Sequence, residues 1–334
     1  VALLNETELI ARYFAPLAGA GGLGLRDDAA LLAPPPGTEI VVTADALIAG
    51  VHFFPADPPG RIAAKALAVN LSDLAAKAAD PLGFLLTLAL PRDWKPDWLE
   101  AFARGLGEVS REFHCPLLGG DTVSTPGPLM LSITALGAVT AGKMTPRTGA
   151  KPGDALFVSG TIGDAALGLV LRQAQIDGAP APAWAAALST QQQAHLVTRY
   201  LAPRARLPLV QALRACASAA MDVSDGLVGD LRAMMRASGA SARIDLRAAP
   251  LSEAVAAAWR ADSRLFERIF CGGDDYEVLC AVPPGTAARF EALAASACVP
   301  VAAIGSVGAA LLGDIFIGPD GAPVIFRQER FSHF

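Results

Sequence analysis

Apolar residues recur at helical spacing from Glu6 to Leu17, with Thr7 and Glu8 suited to a first turn, and this predicts an N-terminal helix. The Gly-rich stretch Gly19 to Gly24 predicts a flexible loop, followed by a short strand over Ala29 to Leu32. After the turn Pro34-Pro35-Pro36-Gly37, the β-rich run Glu39 to Thr43 predicts a strand ending at Asp45. A long Ala/Leu helix is expected over Arg61 to Ala79, stopped by Asp80-Pro81. A strand over Leu85 to Leu90 and a helix over Trp98 to Phe113 follow. Leu117-Leu118 reads as a short strand entering Gly119-Gly120-Asp121, and the alternation from Leu129 to Val139 closes the first half.

The turn-rich segment Pro146 to Asp154 marks a boundary, which predicts domains over 1–145 and 146–334. Beyond it come a strand (Ala155 to Ser159), the loop Gly160 to Asp164 and a helix. The Ala/Pro-rich stretch Gln173 to Thr190 reads as a variable surface excursion. Further on, the pattern predicts a strand over Ala219 to Val223, a helix over Leu227 to Ser238 and a strand over Val278 to Val282. A helix over Glu291 to Ala297 and a terminal hairpin over Ile315 to Phe326 complete the chain. Strands and helices mix in both halves, so the fold class is α/β or α+β with two domains.

With 334 residues, 53% hydrophobic and 18% charged, the chain is long enough for a large core. A net charge of −5 argues against nucleic acid or an anionic membrane as a partner. No apolar stretch reaches spanning length, and the acidic first eight residues lack a basic region, so neither a membrane helix nor a signal peptide is expected. Five cysteines without a C-x-x-C pair read as reduced core residues of a cytoplasmic protein.

Carboxylates recur in short motifs beside Gly, Ser or Thr: Asp27-Asp28, Thr43-Ala44-Asp45, Asn70-Leu71-Ser72-Asp73, Gly119-Gly120-Asp121, Asp222-Val223-Ser224-Asp225-Gly226 and Gly272-Gly273-Asp274-Asp275-Tyr276-Glu277. Converging carboxylates repel unless cations neutralise them, and Mg²⁺ brought by a nucleotide's phosphates is the natural partner. Asn70, Asp73, Lys77 and Asp80 share one helical face, which suits either a site-facing or an exposed stripe. The glycines at 119 and 120 would let backbone approach a phosphate, and the hydroxyl and amides of the 222–226 turn suit phosphate oxygens. Three acids within 274–277 are costly unless exposed or ligand-bound. Gly19 to Gly24 matches G-x-G-x-x-G, but with helix before and strand after, the reverse of a dinucleotide site. Walker, H-E-x-x-H, G-x-S-x-G and zinc patterns are absent.

Taken in order, these motifs, together with Leu67 to Ala76 and Arg147-Thr148-Gly149-Ala150-Lys151-Pro152-Gly153-Asp154, resemble the thiamine-monophosphate kinase family. That family belongs to the ATP-binding superfamily of aminoimidazole ribonucleotide synthetase, and the resemblance spans essentially the whole chain. It implies transfer of the γ-phosphoryl of ATP to thiamine monophosphate. It also implies two α/β domains, the N-terminal sheets of two chains pairing into a barrel-like homodimer core. Asp28, Thr43, Asp45, Asp73, Asp121, Asp222 and Asp225 would hold several Mg²⁺ ions, with Asp45 and Asp121 catalytic through them. Gly120, Asp121, Arg147 and Ser224 would contact nucleotide, and His52, Asp274 and Phe331 the thiamine substrate. A K⁺ requirement is left open. Ala44 stands where the family commonly has a hydroxyl residue, so it offers only backbone to a metal. Rival readings are a sister enzyme resembling aminoimidazole ribonucleotide synthetase and a non-catalytic Mg-nucleotide binding protein. Selenophosphate synthetase, the hydrogenase-maturation relative and an NAD-linked oxidoreductase fit less well.

Overall fold

The computed structural model describes residues 5–327, which form two compact units: 5–74 with 79–142, and 75–78 with 143–327. The expected Phe331 contact lies outside the described residues.

The first unit opens with a short helix α1 (Glu6–Leu9), whose Asn5 and Glu8 cap each other reciprocally. A wider π turn, Ile10–Phe14, and a 3₁₀ turn, Ala15–Leu17, continue it, so the predicted helix exists but is irregular. Gly19 to Gly24 is not a loose loop. It is wound into 3₁₀ turns, with Gly21 and Gly22 pressed against the carbonyls of Leu31 and Leu118, where a Cβ would sit at 2.5 and 2.8 Å. The strand expected over Ala29 to Leu32 is not formed; Leu31 N bonds to Gly21 O, and the Leu31 side chain is exposed.

A four-stranded sheet follows: β1 (Thr38–Ile48), β2 (Asp80–Pro91), β3 (Leu117–Thr125) and β4 (Met130–Thr140), in the order β1-β4-β2-β3. Only β2 and β3 run parallel. β1 runs through Asp45 rather than stopping there, since pairing with β4 continues from Asp45–Ile133 to Ile48–Met130. Helices α2 (Pro59–Ala76) and α3 (Pro96–Glu112) supply Leu67, Leu71, Phe102 and Leu106 to the core. α2 ends earlier than Asp80-Pro81 implies; Ala78 turns at φ +57° and β2 starts at Asp80, with Pro81 beside a bulge. One sheet face, with Leu131, Ile133 and Ala135, is buried; the other leaves Val42 (58%) and Val123 (45%) open to solvent.

The second unit holds a seven-stranded sheet of order β11-β10-β7-β9-β5-β8-β6. Its strands are β5 (Ala155–Ser159), β6 (Ala219–Val223), β7 (Ala240–Asp245), β8 (Glu277–Val282), β9 (Val301–Ala309), β10 (Ile315–Ile317) and β11 (Pro323–Val324). Its helices are α4 (Asp164–Asp177), α5 (Thr190–Leu201), α6 (Val210–Cys216), α7 (Leu227–Ser238), α8 (Glu253–Ala261), α9 (Phe266–Cys271) and α10 (Ala287–Ser296). Alternate residues of one strand serve two cores: Leu156 and Val158 join α4 and α7 on one face, while Phe157 joins Leu213 and Phe290 on the other. The Ala/Pro-rich stretch is less peripheral than expected, because Trp184 and Ala185 insert into the first of these cores. Four cysteines are buried as expected, and burial pushes the Cys115 thiol up to about 12, but Cys298 is exposed. Among the described residues, no helix is long and apolar enough to cross a membrane.

Candidate functional site

In the first unit, two motifs distant in sequence meet at one cleft of about 650 Å³. Asp27 and Asp28, in the loop after the 3₁₀ turns, and Gly120 and Asp121 on β3 line it together with Thr87 and Thr134. Gly119-Gly120-Asp121 lies inside β3, not in a turn. Its glycine has a packing reason, since a Cβ at Gly120 would stand 1.8 Å from the Leu86 carbonyl of β2. The Asp28 amide donates to the Asp27 carboxylate, which shapes this acidic corner.

A second group forms where α2 crosses the buried face of the sheet. Thr43 Oγ1 donates to Asp73 Oδ2 at 2.5 Å, and the Asp45 amide donates to Asn70 Oδ1 at 3.1 Å. Asn70, fully buried, also donates to the Ala66 carbonyl of its own helix. Of the proposed helical stripe, Asn70 and Asp73 therefore face the site strand, whereas Lys77 donates to the carbonyl of Ala220 in β6. Sheet register separates the first two groups. Asp121 pairs with Thr87, Thr87 with Ser132, and Ser132 with Ala46, so Asp121 shares the face of Ala46 and Asp45 takes the opposite one. Three strand spacings, about 14 Å, lie between their edge strands. His52, in the turn after β1, accepts the Ile48 amide at Nδ1, so its neutral ring carries the proton on Nε2.

In the second unit, the 222–226 turn joins β6 to α7 and is laced to the segment before β8. Ser224 O accepts from Asp274 N, and Val223 O from Tyr276 N, both at 2.8 Å. Backbones touch here, because a Cβ at Gly273 would lie 2.4 Å from Ser224 O. Asp274 adopts φ +73°, which Asp tolerates better than most residues. Asp222 is nearly buried in β6, Ser224 and Asp225 are half-buried, and Arg147 is exposed.

Two sequence-based readings need correction in this region. The amides of Ser224 and Asp225, expected to meet phosphate, both donate to Asp230 Oδ2, at 3.0 and 2.9 Å. Asp230 was missed; its signal was an acid among Leu227, Val228 and Leu231 on the buried stripe of α7. Burial pushes its carboxyl up to about 7, and the charge of Asp225 adds to this against the Ser224 and Asp225 amides and Arg147. The second correction concerns the acids of 274–277, of which two need no ligand. Asp275 accepts from the Gly163 amide at 2.8 Å at the start of α4. Glu277 is bonded by Arg199, Arg206 and Ser159. Burial also raises Asp275 well above the usual carboxylate range, as do Asp164 and Glu277, against Gly163 and Arg199. Asp164 was likewise missed; fully buried, it accepts from the Thr161 and Ser252 hydroxyls and lies 3.2 Å from His195 Nε2.

The donors named for metal are carboxylates and hydroxyls, a set that suits a hard divalent ion. No three His, Cys, Asp or Glu side chains among the described residues converge on one ion position.

Residues 26–139 match "AIR synthase related protein, N-terminal domain", and residues 151–316 match "AIR synthase related protein, C-terminal domain". The chain is 43% identical over 312 residues to the thiamine-monophosphate kinase of Caulobacter vibrioides, covering 90% of this chain and 83% of that one. The crystal structure of thiamine-monophosphate kinase from Stenotrophomonas maltophilia K279a aligns with a TM-score of 0.77 and 38% identity, covering 90% and 91% of the two chains. The structure of AaThiL complexed with AMPPCP and TMP aligns with a TM-score of 0.75 and 27% identity, covering 100% and 99%. With its acidic cleft and its laced loops, the chain belongs to the thiamine-monophosphate kinase family of AIR synthase related proteins.

Proposed function

We propose that this chain transfers the γ-phosphoryl of ATP to thiamine monophosphate, giving thiamine diphosphate and ADP by direct in-line displacement without a phospho-enzyme. The observation that carries the proposal is the cleft that gathers Asp27, Asp28, Gly120 and Asp121 in a chain of this family. The relative holding AMPPCP and TMP supports the pairing of nucleotide with a phosphorylated acceptor.

The acceptor is already a phosphate oxyanion, so no side chain need remove a proton; the obstacle is bringing two anions together. Asp28, Thr43, Asp45, Asp73, Asp121, Asp222 and Asp225 would hold Mg²⁺, which when bound offsets phosphate charge and polarises the transferring group. Asn70 keeps the Asp45 backbone in place, and Thr43 orients the Asp73 carboxylate by its short bond. Arg147 adds a cation and Ser224 a hydroxyl for the nucleotide; His52 and Asp274 serve the thiamine end. In this reading residues 1–145 are the ATP, metal and dimerisation domain, and 146–334 carry further nucleotide and substrate residues. Two copies pair through the sheet face that carries Ile40, Val42, Leu85 and Val123, a row of exposed apolar side chains on a β-sheet. We read the protein as cytoplasmic, the compartment that supplies ATP.

³¹P NMR of the purified protein with ATP, Mg²⁺ and thiamine monophosphate tests this. Metal-dependent growth of thiamine diphosphate and ADP signals is expected, with K⁺ varied separately. Intact ATP in folded protein would reject the kinase reading in favour of a sister substrate or a binding role.

A further inference from the structure

We propose that Asp230 is a positioning residue for this reaction: its carboxylate holds the Ser224–Asp225 turn so that the turn offers Ser224 Oγ and the Asp225 carboxylate to a metal-bound nucleotide. The proposal rests on the functional reading above. A strand–turn–helix junction normally presents free amides to an anion, the arrangement by which many proteins hold phosphate. Here one oxygen of Asp230, a residue only 3% exposed, takes both amides. Asp230 stands in the first turn of α7, with its own amide bonded to Gly226 O, so its side chain folds back over the turn it restrains.

The carbonyls of the same turn are held from the other side. Val223 O and Ser224 O accept from Tyr276 and Asp274. Gly226, at φ +115°, packs so close to Cys271 that a Cβ would meet its carbonyl carbon at 2.6 Å. The Ser224 and Asp225 amides and the Val223, Ser224 and Gly226 carbonyls are thus engaged within the protein, so Ser224 N and Asp225 N are not offered to phosphate. What these two residues offer a ligand is side chains, the Asp225 carboxylate to a cation and the Ser224 hydroxyl to a cation or a phosphate oxygen. Partners that orient ligating groups from behind typically contribute 10- to 100-fold to metal affinity.

The test titrates Mn²⁺ into the full chain with ATP, reading free Mn²⁺ by electron paramagnetic resonance, alongside the Mg²⁺ dependence of turnover. Asp230→Ala should weaken Mn²⁺ binding by about 10-fold or more and raise the Mg²⁺ half-saturation in step, leaving KM for thiamine monophosphate near wild type. Asp230→Asn keeps an acceptor oxygen without charge and should stay close to wild type. Asp230→Glu keeps charge but displaces the oxygen by one methylene, and should resemble the Ala variant. Wild-type Mn²⁺ binding in folded Asp230→Ala overturns the proposal. So does tighter binding in the Glu than in the Asn variant, a comparison that stands even if the Ala variant does not fold. Because Mn²⁺ binding is read directly, a wild-type protein inactive on thiamine monophosphate would refute the kinase reading while still scoring Asp230.

Discussion

Replacing Glu277 by Gln would separate a structural acid from a ligand-binding one. Glu277 has no exposed surface, and its two partners are almost as enclosed, Arg199 being 13% and Arg206 17% exposed. Arg199 Nη2 lies 2.8 Å from Oε1, Arg206 Nε 2.5 Å from Oε2, and Arg206 Nη2 closes a second contact to Oε1. Burial works against the charge of Arg206, yet the hydrogen bond and charge of Glu277 outweigh it and hold the guanidinium above its ordinary value. The network is built around a glycine: at Gly160, φ +57°, a Cβ would stand 2.1 Å from Glu277 Oε1. Glutamine keeps the shape but leaves two poorly hydrated cations facing a neutral amide, so a loss of about 3–5 kcal/mol is expected. That is a large share of a typical 5–15 kcal/mol stability. At roughly 2–4 °C per kcal/mol for a unit of this size, the midpoint should fall by about 6–20 °C. Differential scanning calorimetry and urea unfolding measure it, with KM for thiamine monophosphate taken at low temperature on folded protein. A loss below about 1 kcal/mol would refute the buried-pair argument. A raised KM with stability unchanged would return Glu277 to the ligand.

Three further outcomes follow from the site and its surroundings. Asp121→Ala and Asp45→Ala should each lower kcat by at least about 100-fold in steady-state assays; near wild-type activity in either would break the metal assignment. Asp275 is raised by burial, so the folded state holds its proton above the unfolded value of about 3.9, and the contribution of Asp275 to stability declines as pH rises from there. Asp275→Asn keeps an acceptor for the Gly163 amide without that penalty, so its stability relative to wild type should grow with pH, by at most about 1.4 kcal/mol per unit; parallel urea-unfolding curves from pH 5 to 8 would contradict this. Val42→Glu puts a charge on the exposed sheet face and should turn a dimeric protein monomeric by light scattering, whereas a monomeric wild type would remove that face as the dimer contact.

Local pattern alone made much of the second unit legible. The strand over Ala155 to Ser159 and the pair Ala219 to Val223 and Leu227 to Ser238 match the structure end to end, because apolar runs bounded by Gly and Asp carry both period and punctuation. The acidic motifs and their order identified the family for the same reason: each is a contiguous string of residues. What the motifs do was less legible. The strand is read only over Leu117-Leu118 because glycine is a poor strand former, and only the approach of Leu86 from β2 shows why the strand needs Gly120 as it runs on. Asp275 and Glu277 read as ligand-seeking acids because their neutralising partners, Gly163, Arg199 and Arg206, lie 71 to 112 residues away. The Ser224 and Asp225 amides looked available until the fold of α7 brought Asp230 back over them. The sequence by itself determined the elements and the chemistry on offer, since periodicity and turn preference are local. Which carboxylates were left for a ligand was decided only by the tertiary structure, because burial and charge pairing depend on groups that meet only when the chain has folded.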